Sequence, residues 1–183
     1  QQSPIPRRAQ GEAEARFACY PVRRLDAEVL AAALTWLGGR REPYVSPIPE
    51  PFTWIPEEQR AVALADGSIT SAFLQVFGRP PRDTGLEAER GRNTTDAQRL
   101  YLLNSTEVHR RITGSLRLRR VALAAGGDRA ARVHGIYMTV LSRPPQPSEL
   151  AAALAYGKSS GLSPEQAAVD LAWALVNSME FLY

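Results

Sequence analysis

The sequence predicts an all-α protein, an irregular helical bundle carrying a long extended arm rich in proline and aromatic residues. Three observations lead there. Apolar residues recur at helical spacing, above all Val133, Ile136, Tyr137, Val140 and Leu141. Helix-start signals punctuate the second half, and no run alternates convincingly with period two. With 44% hydrophobic and 22% charged residues, the 183-residue chain has the composition of a folded domain rather than a disordered one.

Taken in order, Asp26 to Leu37 reads as the first helix, with Val29, Leu30, Ala33, Leu34 and Leu37 as its apolar face, Asp26 as cap and Gly38-Gly39 as stop. From 40 to 66 the periodicity disappears. Prolines 43, 47, 49, 51 and 56 remove backbone donors and push their predecessors into extended geometry. Tyr44, Ile48, Phe52, Trp54 and Ile55 lie among them, so this stretch reads as an arm strapped across the core or onto a partner. Residues 68–77 form a short helix with Ile69, Phe73, Val76 and Phe77 on one face, and a charged loop follows over 78–93.

The bundle occupies 94–183. Thr95 and Gln98 make a capping-box pair, and Asn104 and Glu107 suggest another, with a break near 104. Asp128 opens the clearest amphipathic helix, which Arg143-Pro144-Pro145 ends. Pro147, with Glu149 in the first turn, opens a helix to about Tyr156. Ser163-Pro164-Glu165-Gln166 opens a last one running to the C-terminus, with Val169, Ala172, Trp173, Val176 and Met179 on its apolar face. The three helices after Asp128 are expected to bury their stripes against one another.

Several chemistries lack their residues. Cys19 is the single cysteine, so no CxxCH haem attachment or intrachain disulfide can form within the chain, and His109 and His134 have no cysteine or histidine neighbours at the ligand spacing of a structural zinc site. The longest apolar runs, such as 167–179, are interrupted by Asp170 and Asn177, which leaves no membrane span. Lys158 is the only lysine among 22 basic residues and the net charge is only +3, a weak signature for nucleic acid. The densest basic run, Arg110, Arg111, Arg117, Arg119 and Arg120, lacks interleaved aromatics and reads as a solvated helix face. Trp36, Trp173 and His134 are expected in or at the edge of the core, and Trp54 as an exposed platform.

The loop supplies the candidate site. Asp83, Glu87 and Glu89 are the candidate acids and bases, or oxygen ligands for a hard cation; Arg82, Arg90 and Arg92, with Trp54, are the candidate binding residues. The alternative is structural: the carboxylates pair with arginine forks and clamp the loop onto the core. No spacing matches a named metal loop, and no metal site is predicted.

Five strings then carry a resemblance: YPVRRLDAEVL at 20–30, GSITSAFLQVFGRPPRDTGLEAER at 67–90, AQRLYLLN at 97–104, IYMTVLSRPPQPSEL at 136–150 and DLAWALVNSMEFLY at 170–183. In this order the chain resembles the C-terminal part of the planctomycete-type cytochrome-associated domain of unknown function 1553. The resemblance implies a place in large exported proteins, hence a periplasmic or otherwise extracytoplasmic setting. It implies a c-type haem in the parent protein or a partner cytochrome, with no cofactor in this chain. Gln1-Gln2-Ser3 resembles a stretch internal to that family's domain, so 1–183 reads as a single helical domain that is a fragment of a larger one. Relatives carry cysteines near positions occupied here by Gly85, Leu86, Glu87 and Ala88, so no cysteine-based role transfers. The expected function is a non-catalytic or accessory segment engaged in protein–protein interaction, docking on the other part of its parent or on a partner subunit. The alternative is part of an extracytoplasmic glycan-processing or redox enzyme built around 82–92.

Overall fold

The computed structural model describes residues 23–39, 42–49, 52–65, 67–80 and 87–183. The described residues are helical and form no strand; Val45 and Thr70 make an isolated antiparallel bridge. The helices are α1 (Ala27–Gly38), α2 (Ala72–Val76), α3 (Asp96–Asn104), α4 (Thr106–Thr113), α5 (Leu116–Ala124), α6 (Arg129–Leu141), α7 (Pro147–Ser159), α8 (Pro164–Val176) and α9 (Met179–Leu182).

One layer gathers around α1, which packs against α4, α2, α5 and the 3₁₀ turn Ala61–Ala63. Its buried face is Ala27, Leu30, Ala31, Leu34, Leu37 and Gly38. The predicted face was rotated: Val29 is exposed, and Ala31 is buried in its stead. Asp26 occupies the N-cap position without a side-chain cap bond, while Gly39 ends the helix in the left-handed region at φ 67°, which glycine adopts without a Cβ clash. Phe73 stacks on Phe77 with ring centroids 4.2 Å apart, and Tyr101 of α3 meets both edge-on.

The second layer is α6 packed on α8, with α5, α7 and α9 around them. Val133, Ile136, Tyr137 and Val140 are buried, as the stripe predicts. The expectation that all three late helices bury their stripes fails at α7, which has no buried residue and makes fewer contacts with α8 than α6 does. Its half-buried side is Leu150, Ala153, Leu154 and Gly157, and the small Ala153 and Gly157 leave space between the helices. Helix α4 joins the layers by packing on both α1 and α8, and the backbone bond Leu25 N–H to Leu182 O, 2.8 Å, links the two ends of the described chain.

Local capping explains most boundaries. Thr95 and Gln98 form the full box, Asp128 accepts from the N–H groups of Ala130 and Ala131, and Ser163 accepts from Gln166 N–H beside Pro164 at N1. Four boundaries differ from the sequence reading. Helix α2 starts at Ala72 rather than 68, because Ser71 caps it and Thr70 is held in the bridge to Val45. Ser105, not Asn104, caps α4, and Glu107 turns to Arg111. Helix α7 continues to Ser159. The last helix breaks at Asn177: its side-chain amide donates to Trp173 O, and Ser178 caps a separate turn whose Met179 is exposed.

The basic run is also corrected. Arg111 is not solvated; it is 2% exposed, the largest fully buried side chain described. It is drawn in because Val108, Arg111 and Ile112 share one face of α4. Trp36, expected in the core, is 48% exposed and roofed by the Arg117 guanidinium 4.1 Å from its ring centroid. His134 points to solvent, since the buried stripe of α6 passes on either side of it.

Candidate functional site

The described part of the charged loop is tied to α1. Arg82 and Asp83 lie outside the described residues, as does Cys19. Glu87 begins a 3₁₀ turn, Glu87–Glu89, in which Glu89 is half-buried; Arg92 is exposed. Arg90 is directed at α1, where its two terminal nitrogens fork onto Glu28 at 2.7 and 3.2 Å. Arg79 approaches the same carboxylate at 3.3 Å and donates to Ile69 O. Burial pushes the Glu28 carboxyl up, but the Arg90 hydrogen bonds and the charges of Arg90 and Arg79 outweigh it and leave its pKa lowered.

Two glycines close the loop at its base. Gly91 N–H donates to Gly78 O at 2.9 Å, and a Cβ on Gly78 would collide with the Gly91 carbonyl. Gly78 also holds φ 81°, so no other residue fits there without strain. Arg24 bridges the two limbs, donating to Phe77 O at 2.9 Å and Gly91 O at 2.8 Å. Arg90 thus forks onto Glu28 of α1, a partner that local sequence did not suggest, while the predicted pairing of Asp83 lies outside the described residues. Trp54 stands apart on the segment after the Pro49 turn, 71% exposed, with Phe52 at 84%.

A second ion network surrounds Arg111. It donates to Thr35 Oγ1 at 2.9 Å, Glu42 Oε2 at 2.5 Å and Glu107 Oε1 at 2.9 Å. The Arg111 stem lies on Gly38, where a Cβ would come within 2.7 Å of it. Burial raises the Glu42 carboxyl, and its hydrogen bond from Ser71 and the charge of Arg111 only partly restore it. A third network joins Arg143 to Glu149 at 2.8 and 2.9 Å and to Glu180 at 2.6 Å, tying α7 and α9 to the end of α6. Hydrogen bonding from Arg143, then from Gln146 N–H, lowers Glu149 to about 2.

The feature that sequence reading missed is a cleft of about 620 Å³ between α6, α7 and α8. Its walls are Val133, Ile136, Leu154, Ala168, Leu171 and Trp173, and Arg129 and Arg132 lie along one side. Tyr156 OH donates to Asp170 at 2.7 Å and joins α7 to α8. The available signal was the run AAALAYG at 151–157, whose small side chains leave an apolar helix face unfilled.

Among the described residues no group of three or more His, Cys, Asp or Glu side chains could hold a metal ion, and no helix is long and apolar enough to cross a membrane. Residues 1–157 match the family model described as protein of unknown function (DUF1553). No curated protein and no solved structure matches the chain. With a match over most of its length, the chain belongs to the DUF1553 family.

Proposed function

We propose that this chain is a non-catalytic, accessory helical module that docks on another part of its parent protein or on a partner subunit. One observation carries the reading: Val45, Ile48, Phe52, Trp54 and Val62 are all exposed within one short segment. Two of these are aromatic, and aromatic residues are enriched at interfaces and depleted from surfaces that stay wet. The segment is anchored at both ends, by the Val45–Thr70 bridge and by buried Ala61, so it presents these side chains from a held backbone.

The alternative of an enzyme built around 82–92 loses support at Arg90 and Glu28, which neutralise one another and face α1 rather than an open site. The family resemblance implies an exported parent that also carries, or meets, a c-type cytochrome, and the proposal extends to that setting. Hydroxyl-radical footprinting tests it. Phe52 and Trp54 should be oxidised readily in the isolated chain and protected several-fold in the full-length parent protein or its complex. Equal oxidation in both states would defeat the reading, as would loss of the fold on changing both residues to serine.

A further inference from the structure

We propose that the cleft between α6, α7 and α8 binds a small amphipathic carboxylate, its apolar body against Leu154, Leu171 and Trp173 and its head group on Arg132. The inference does not depend on the docking reading, which concerns a different surface. Three observations support it.

The volume, about 620 Å³, and the apolar walls with few polar groups have the character of small-molecule sites. The polar groups along the cleft are also unequally satisfied. Glu149 is held by Arg143, and Asp170 accepts from Tyr156 OH at 2.7 Å and Gln166 Nε2 at 3.1 Å. Both lining carboxylates are therefore answered. Arg132 is not: its Nε and Nη1 are buried and have no hydrogen-bond acceptor. The carboxylate in ion-pair range, Glu165, stands 3.9 Å from Nη1, beyond hydrogen-bond reach, and is itself largely exposed.

Desolvated N–H groups of a cation with no acceptor are costly, so an occupant that brings an anionic oxygen gains what the protein leaves unmade. The Arg132 side chain keeps 12% exposure and lines the cleft. Arg129, one helical turn earlier, adds a second positive charge on the same side. The unmet donors are cationic, and most of the remaining surface is apolar. That combination selects a carboxylate on a hydrocarbon body over a neutral or cationic ligand.

Dodecanoate and dodecan-1-ol, which share a tail and differ in the head, are suitable probes for the full 183-residue chain. Titration followed by two-dimensional NMR should move the Trp173 indole N–H saturably with dodecanoate and leave that of Trp54 in place. The alcohol should bind about tenfold more weakly or worse, and Arg132→Met should bring the acid down to the level of the alcohol. Gly157 lines the cleft and a Cβ there meets nothing within 4 Å, so Gly157→Phe should fill the space without lowering the melting temperature and abolish binding of both probes. The absence of a saturable Trp173 shift overturns the proposal. So does equal affinity for acid and alcohol, or full dodecanoate affinity in Arg132→Met or Gly157→Phe.

Discussion

Arg111 and Arg132 are both drawn from a helix surface into the interior, and the chain treats them in opposite ways. Arg111 meets a hydroxyl and two carboxylates, and its stem lies against Gly38, where a side chain would be in the way. Arg132 has two buried nitrogens without an acceptor, beside a cleft that small residues leave open. The α1–α4 layer is a closed network; the α6–α7–α8 layer is packed on one side and unfilled on the other. Both arginines are largely buried yet unequally satisfied, and it is the one with orphaned nitrogens that points to a ligand.

The comparison can be broken first at its strongest point. Replacing Arg111 by Met leaves Glu42 buried without its cation, and a loss of about 3–5 kcal/mol is expected in urea denaturation. Retention of stability within about 1 kcal/mol would mean that the network contributes little. Next comes the base of the charged loop. Gly78→Ala must adopt a left-handed backbone and push the Gly91 carbonyl aside, so a loss of about 2–4 kcal/mol is expected. Gly161 shares a positive φ of 66° but has open space around it, so an alanine there carries only the conformational cost, about 1 kcal/mol.

Acid separates the two layers with opposite signs. Glu149 is lowered to about 2, so its tie to Arg143 contributes fully above the unfolded carboxyl value and is lost as pH falls toward 2. Because the pair is surface-accessible, that contribution is about 1 kcal/mol. Glu42 is raised, so protonation relieves its burial cost, and stability through this group rises as pH falls toward its unfolded value. Melting temperatures of Glu149→Gln and the parent chain should therefore converge between pH 4.5 and 2. An undiminished gap at low pH would show that Glu149 acts by packing or capping alone. The smallest effect is a gain: Gly157→Ala, in the last turn of α7 with free space at Cβ, should add about 0.5 kcal/mol.

Much of this was legible because it is local. The Thr95–Gln98 box, the Asp128 cap and Ser163-Pro164 announce helix starts from neighbouring residues, and the structure places caps there. The stripe of α6 identified its own buried face. What escaped depends on partners distant in sequence. Arg90 was visible as a fork seeking a carboxylate, but its partner Glu28 is 62 residues away. Arg111 was hidden by its charge, although Val108 and Ile112 mark its face as the buried one. Trp36 carries apolar neighbours yet lies outside the stripe of α1, where Arg117 covers it. The cleft lies between three helices, and the small residues at 151–157 hint at it without naming the residues of α6 and α8 that complete its walls.

The most direct test applies one chemical change to both arginines. Urea denaturation of Arg111→Met and Arg132→Met beside the parent chain should give a stability loss of about 3 kcal/mol or more for the first. For the second the change should lie within about 0.5 kcal/mol of zero, or be a slight gain, since a poorly satisfied buried cation is replaced by an apolar group of similar length. Equal losses at the two positions would contradict the distinction between a closed layer and an open one.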